Sequence, residues 1–438
     1  MSALELGSAI RRREISSVEA VRASLDRIRE LDPLLGAFTD VRGRRALLDA
    51  HRCDSFRSDA PFHGVPIGVK DLNLVRGTFT RFGSRSYKWL VSPVDDAVAS
   101  AVRRAGFVII GKLATSEFGT LPVTETDIHR PARNPWSPDR SPGGSSGGSG
   151  SAVAGGLLPI AHGSDGGGSI RIPAAFCHLF GFKSSRGLNP LANARVDPNG
   201  LGVEGALTST VADAAAFTEV LSGRAVPECR GVPTRLRIRF TTEAAVAPTE
   251  PAFAAATERV AALLADMGHD VERAPGVAGS VDEFLPIWTR LAADLPIPRE
   301  LTLQPVNQWL RAHGRGLAHA DVKTLHGMLS AKVLAWCGDA DLWLTPTVGA
   351  PPPKVGAFRG LAASDVFGAI APIGQFTAPF NVSGQPAASI PAGFTADGMP
   401  IGVQLVGRRG EDALLLAVCR ALEVAMPWRQ DQPALTLR

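Results

Sequence analysis

Apolar residues recur at three-to-four spacing over residues 16–31, where Val18, Val21, Leu25, Ile28 and Leu31 share one face. Ser16 or Ser17 can cap the start and Asp32-Pro33 ends the run, so the spacing predicts an amphipathic helix. The same period predicts helices over 96–104, 251–267 and 411–425, and small apolar residues predict a close-packed helix over 151–158. Short apolar runs at 65–69, 107–110, 341–345 and 401–406 read as strands, the third stopping at Pro346. Strand and helix alternate along the chain, which favours an α/β architecture. Residues 275–340 break that alternation. They hold no strand-like run but do hold Trp288, Trp309 and Trp336, and they read as a helical cap over the sheet.

Composition bounds this picture. The chain has 438 residues, 45% of them apolar and 20% charged, enough for a substantial core. The 46 glycines and 33 prolines predict many turns without reaching a disordered composition. A net charge of +4 gives no ground for a nucleic-acid or membrane partner. Cys53, Cys177, Cys229, Cys337 and Cys419 are scattered and lack CxxC spacing, so neither a disulfide framework nor a zinc site is expected. The nine histidines show no metal-ligand spacing. The first residues carry no apolar leader pattern, and no apolar run approaches the roughly 18 residues of a membrane span. A cytoplasmic location is expected.

The chemistry concentrates in three segments. Ser141-Pro142-Gly143-Gly144-Ser145-Ser146-Gly147-Gly148-Ser149 is followed by Asp165-Gly166-Gly167-Gly168-Ser169-Ile170-Arg171, and upstream Lys70 closes the apolar strand that begins at Val65. Glycines beside a serine let a substrate carbonyl approach the backbone and let successive N–H groups turn toward one point. Burial pushes a lysine toward its neutral form, in which it can accept a proton. A serine hydroxyl needs such a base before it attacks an acyl carbon. Together these point to a Ser/Ser/Lys hydrolase.

With these motifs the chain resembles the amidase signature family of Ser-cisSer-Lys hydrolases. The resemblance runs from the helix ending at Pro33 through residues 64–71, 111–118, 141–171, 376–386 and 398–404. It implies one domain over 1–438 with a mixed β-sheet flanked by helices on both faces, no metal and no organic cofactor. It implies Ser169 as nucleophile, Ser145 as a bridging serine after a cis peptide, and Lys70 as base. The amides of Gly166, Gly167, Gly168 and Ser169 would form the oxyanion hole, with Ser146, Asp165 and Arg171 holding the loop in shape. Phe118, Ile373 and Gln375 are expected at the substrate pocket. Many members carry an aliphatic residue where Gly166 stands, so a more permissive loop is expected here.

Simpler readings compete with this one. Residues 143–150 could be a Gly/Ser linker, but ordered apolar segments flank them. Residues 106–112 mimic the start of a phosphate-binding loop, yet their middle reads as a strand and Leu113 replaces the magnesium-binding hydroxyl. Arg171 breaks the G-x-S-x-G elbow at Ser169, which argues against the α/β-hydrolase fold. Cys177 and His178, as chain neighbours, cannot easily face one another as nucleophile and base.

The resemblance leaves the substrate open among amides, oligoamides and carbamates, with ester cleavage as a side activity. The aromatic segment favours a neutral hydrophobic or aryl portion. A glutaminase subunit of a tRNA-dependent amidotransferase is the alternative from a different class. Glutamine-using members carry an acidic residue where this chain has Gly374, so a free-standing amidase, monomer or homodimer, is expected to act on a small-molecule amide or carbamate.

Overall fold

The computed structural model describes residues 1–189, 197, 199–225 and 235–435. Cys229, named above, lies outside them. Eleven strands form one sheet: β1 (Phe38–Val41), β2 (Pro66–Lys70), β3 (Val108–Leu113), β4 (Ile160–Asp165), β5 (Phe180–Lys183), β6 (Val203–Thr208), β7 (Arg237–Phe240), β8 (Asp270–Arg273), β9 (Leu342–Pro346), β10 (Ala387–Phe394) and β11 (Pro400–Gly407). Their order is β1-β3-β2-β4-β6-β5-β10-β11-β9-β7-β8. β2 runs parallel to β3 and β4, and β7 to β8 and β9. The remaining neighbours are antiparallel, so the sheet is mixed. With its fourteen α-helices among the described residues this is the expected α/β class.

Each strand expected from an apolar run forms within a few residues of its place, and the central ones are buried along their whole length. Helix Pro251–Asp266 sets Phe253, Val260 and Leu264 against Leu344 and Val403 of the sheet. Burying each such side chain contributes roughly 1.5–3 kcal/mol, which holds β9 and β11 in place.

Two boundaries differ from the sequence reading. Helix Ser17–Leu35 passes through Pro33 and ends at Gly36, whose φ of 61° lies in the left-handed region. Proline removes a single ladder bond this close to the end. The Asp32 carboxylate then accepts the amides of Ala37 and Phe38, tying the helix end to β1. Ser16, not Ser17, is the cap, closing a capping box with Glu19.

The second difference is helix Gly147–Ala154, which begins inside the glycine run rather than after it. Its glycines permit close backbone contact: a Cβ on Gly148 would fall 2.4 Å from the Ala114 amide nitrogen and 2.5 Å from the Ala37 carbonyl oxygen. Residues 141–150 are buried throughout, which rules out a linker.

The segment 275–340 carries helices Val281–Asp294, Pro305–Arg315 and His319–Cys337 and no strand among its described residues. No described helix is long and apolar enough to cross a membrane. The phosphate-loop mimic is strand β3, and its Lys112 is bound to Asp71 at 2.8 Å.

Candidate active site

Three lysines are fully buried, and their partners separate them. Lys112 is paired with Asp71. Lys183 donates to the carbonyls of Ser184 and Gln385 and reaches no hydroxyl among the described residues. Lys70, the last residue of β2, places Nζ 2.8 Å from Ser145 Oγ and 3.0 Å from Ser164 Oγ, and donates to the Ser164 carbonyl at 3.2 Å. Burial pushes the Lys70 ammonium down to about 7, against the pull of the Glu204 and Asp165 carboxylates. Near neutral pH a large share of it is therefore an uncharged amine.

The peptide bond before Ser145 is cis, as the resemblance implied. Thr124 braces this turn, donating to the carbonyl of Gly143 at 2.9 Å and accepting the amide of Gly147 at 3.1 Å. Ser146 stays within the loop: its Oγ donates to the Ser164 carbonyl, and its amide donates to the Ser169 carbonyl.

β4 ends in Asp165, and the glycine loop begins there. Asp165 accepts from the amides of Gly168, Ile170 and Arg171 and from the Arg171 guanidinium at 2.9 Å. Burial alone would raise this carboxyl, but Arg171 holds it well below the usual carboxylate range. Arg171 also binds Gln404 and Asn381, while Asn381 reaches back to Asp165 and Thr377 Oγ1 donates to the Gly167 carbonyl at 2.7 Å. Every polar group of this buried network is engaged by a neighbour, which fixes the loop's shape.

That network corrects one expectation. The Gly168 amide is held by Asp165 at 2.7 Å and is not free to meet an oxyanion. The amides of Gly166, Gly167 and Ser169 donate to no acceptor among the described residues and keep that capacity. Gly168 instead serves geometry, with a φ of 127° and Thr377 Oγ1 only 2.2 Å from a would-be Cβ. Gly168→Ala should cost roughly 1–3 kcal/mol from backbone strain alone, more with the clash, read as a fall in urea midpoint. Gly166 has room by comparison, since a Cβ there would meet Trp288 at an ordinary 3.5 Å.

Ser169 is 8% exposed and lines two cavities, which also share Gly119, Thr120 and Trp288. The first, about 110 Å³, is walled by Phe284, Trp288, Leu329, Phe367 and Ile370, and no charged side chain lines it among the described residues. The second, about 140 Å³, contains Ser145, Ser164, Phe118 and Glu204. No hydrogen bond joins the Ser145 and Ser169 hydroxyls in this structure, although both open on that second cavity.

Of the expected pocket residues, Gln375 lines the first cavity and Phe118 the second. Phe118 has a φ of 53°, a strained backbone for a bulky residue beside the serines. Ile373 lines neither cavity and packs into the hydrophobic core. The Cys177 thiol is buried and pushed well above its usual range by that burial, so it is no nucleophile. The sequence reading names neither Ser164 nor Thr377 as a site residue, and Trp288 only as part of the cap segment. Ser164 directly precedes Asp165, and Thr377 stands in the segment 376–386; position beside a motif was the one available signal.

A family model described as Amidase matches residues 19–416. A 6-aminohexanoate-cyclic-dimer hydrolase of Pseudomonas sp. is 35% identical over 97% of this chain and 95% of its own length. A solved structure of 6-aminohexanoate cyclic dimer hydrolase complexed with substrate superposes with a TM-score of 0.88 at 31% identity, covering 99% of this chain and 98% of that one. A bacterial aryl acylamidase structure superposes with a TM-score of 0.86 at 26% identity, covering 98% and 97%.

Proposed function

This chain belongs to the amidase signature family and is an amidase, a hydrolase of amide bonds, and on that premise we propose that it works through a serine acyl-enzyme with a lysine–serine proton relay. Neutral Lys70 takes the proton of Ser145, Ser145 takes that of Ser169, and Ser169 Oγ attacks the acyl carbon. Negative charge on the carbonyl oxygen is met by the free amides of the Gly166–Ser169 loop. The relay then runs backward, and Ser145 protonates the departing nitrogen. Water repeats the attack and releases the acid. The observation that carries this reading is the buried Lys70 amine, shifted to about 7 and 2.8 Å from Ser145 Oγ. The Ser145–Ser169 contact closes as substrate seats, since catalytic hydrogen bonds are often open in free enzymes.

The two cavities divide the substrate. Ser145 must reach the leaving nitrogen and lines only the second cavity, so the amine portion sits there and the acyl portion enters the first. With no charged side chain in its described lining, the first cavity suits a neutral hydrophobic or aryl acyl group. Helix Val281–Asp294 supplies Phe284 and Trp288 to that cavity, and the segment 275–340 acts as a cap that sets selectivity. A glutaminase role fits less well. Free glutamine carries two charges, Gly374 offers no carboxylate, and Gln375 Oε1 already accepts from the Ala247 amide. Oligoamides and carbamates place the same acyl carbon at Ser169 and fall within this reading.

A panel of amides tests it. Release of an arylamine from aryl amides or carbamates at higher kcat/KM than from acetamide is expected. Activity confined to short aliphatic amides or to glutamine would overturn the substrate assignment. Ser145→Ala should lower kcat on an amide by about 10²–10⁴-fold, and on the matching ester by less, because an alcohol leaves with less protonation. Equal losses on both, measured side by side, would contradict the protonating role of Ser145.

A further inference from the structure

Beside Thr124, which braces the Ser145 turn, lies a third cavity of about 290 Å³ that shares no lining residue with the two at Ser169. Arg81, Lys88, Arg130 and His129 line it, and no carboxylate does among the described residues. Arg81 spends one amino group on the Thr39 carbonyl at 3.0 Å. Arg130 is weakly countered by Asp32 at 3.5 Å. Asp71, which accepts the Arg81 amide, is taken up by Lys112. The Lys88 ammonium makes no ion pair among the described residues and lies 4.9 Å from the centre of the Trp89 indole, itself 75% exposed.

The lining also contains Thr115, which is 1% exposed and whose hydroxyl has no hydrogen-bond partner among the described residues. That hydroxyl is buried in the chamber wall rather than open to the space, a polar group left without a partner there. The chamber is amphipathic as well. Ile128, Ala114 and the Trp89 ring stand beside the cations.

We propose that this chamber binds a small carboxylate with an apolar body, its oxygens held by Lys88 and Arg81 and its body against Trp89 and Ile128. Arginine and lysine bind carboxylates by charge-assisted hydrogen bonds, and an aromatic rim suits an aryl or alkyl acid better than a bare inorganic ion. An acid of this class is what an apolar-acyl amide releases on hydrolysis; that link rests on the function proposed above, while the binding does not. Thr124 lines the chamber and also donates to the carbonyls of Gly143 and Ser145, so an occupant would touch the residue that braces the serine turn.

Calorimetric titration of the full chain with benzoate tests the proposal, with benzamide and inorganic phosphate as comparators. Benzoate is expected to bind saturably and in a Lys88-dependent way, whereas benzamide, a neutral aryl amide that the cavity at Ser169 accepts, is expected to bind without regard to Lys88. Lys88→Ala should weaken benzoate about tenfold or more, and Lys88→Glu should abolish binding, while amide turnover by both variants shows them folded. Absent benzoate binding, undiminished binding in both variants, or binding of phosphate but not benzoate would each overturn the assignment. Loss of turnover in the native chain with this benzoate pattern intact would count against the hydrolase reading instead.

Discussion

Ser169→Ala is expected to abolish amide turnover, a loss of roughly 10⁴-fold or more, without lowering the melting temperature. The two halves of that result separate chemistry from stability. Ser169 Oγ makes no hydrogen bond with any described residue, so its removal leaves no buried group unpaired. The backbone around it stays fixed, because Asp165 and Arg171 hold the loop through Gly168, Ile170 and Arg171 itself. Initial rates of amine release, paired with thermal unfolding, check both. Near-normal turnover would remove Ser169 as nucleophile, and a large fall in melting temperature would give it a structural role instead.

Substitution of Lys70 comes second, with an expected loss of about 10²–10⁴-fold for Lys70→Ala. Lys70→Arg is the sharper variant. Guanidinium stays protonated at any working pH, so it would keep the positive charge and lose the ability to accept a proton. It is expected to be inactive across the whole pH range, whereas an electrostatic role for Lys70 would leave it substantially active. The comparison distinguishes a base from a mere charge beside Ser145.

Legibility in the sequence followed the length scale of the forces involved. Strands β2, β3, β9 and β11 were readable because each is a continuous apolar run buried on both faces. Lys70, Ser145 and Ser169 were readable because glycines and an apolar strand mark them locally. What escaped depends on contacts between distant segments. The Gly168 amide looked equivalent to its neighbours until the Asp165 carboxylate turned back over the loop to take it. Trp288 lines both cavities although it lies 119 positions beyond Ser169 in sequence, and its indole N–H is anchored by the Thr120 carbonyl at 3.2 Å. Helix Gly147–Ala154 starts where glycine propensity argues against helix, because only glycine fits so close to Ala114 and Ala37. Pro33 could not end its helix because the Asp32 carboxylate and Gly36 end it further on.

Lys183 offers an internal control for the titration. Burial, and then the neighbouring Arg171 charge, also push its ammonium down to about 7, yet it lines neither cavity at Ser169. A rate dependence on Lys70 must therefore survive Lys183→Met and vanish with Lys70→Ala.

The pH dependence of kcat/KM for an aryl amide tests the Lys70 base most directly. Only the neutral amine can accept a proton, so the rate should fall about tenfold per unit on the acid side and level off above an apparent pKa near 7. That limb should disappear in the residual activity of Lys70→Ala. A limb in the carboxylate range, a rise that continues toward the pKa of an ordinary exposed lysine, or the same limb persisting in Lys70→Ala would contradict the account.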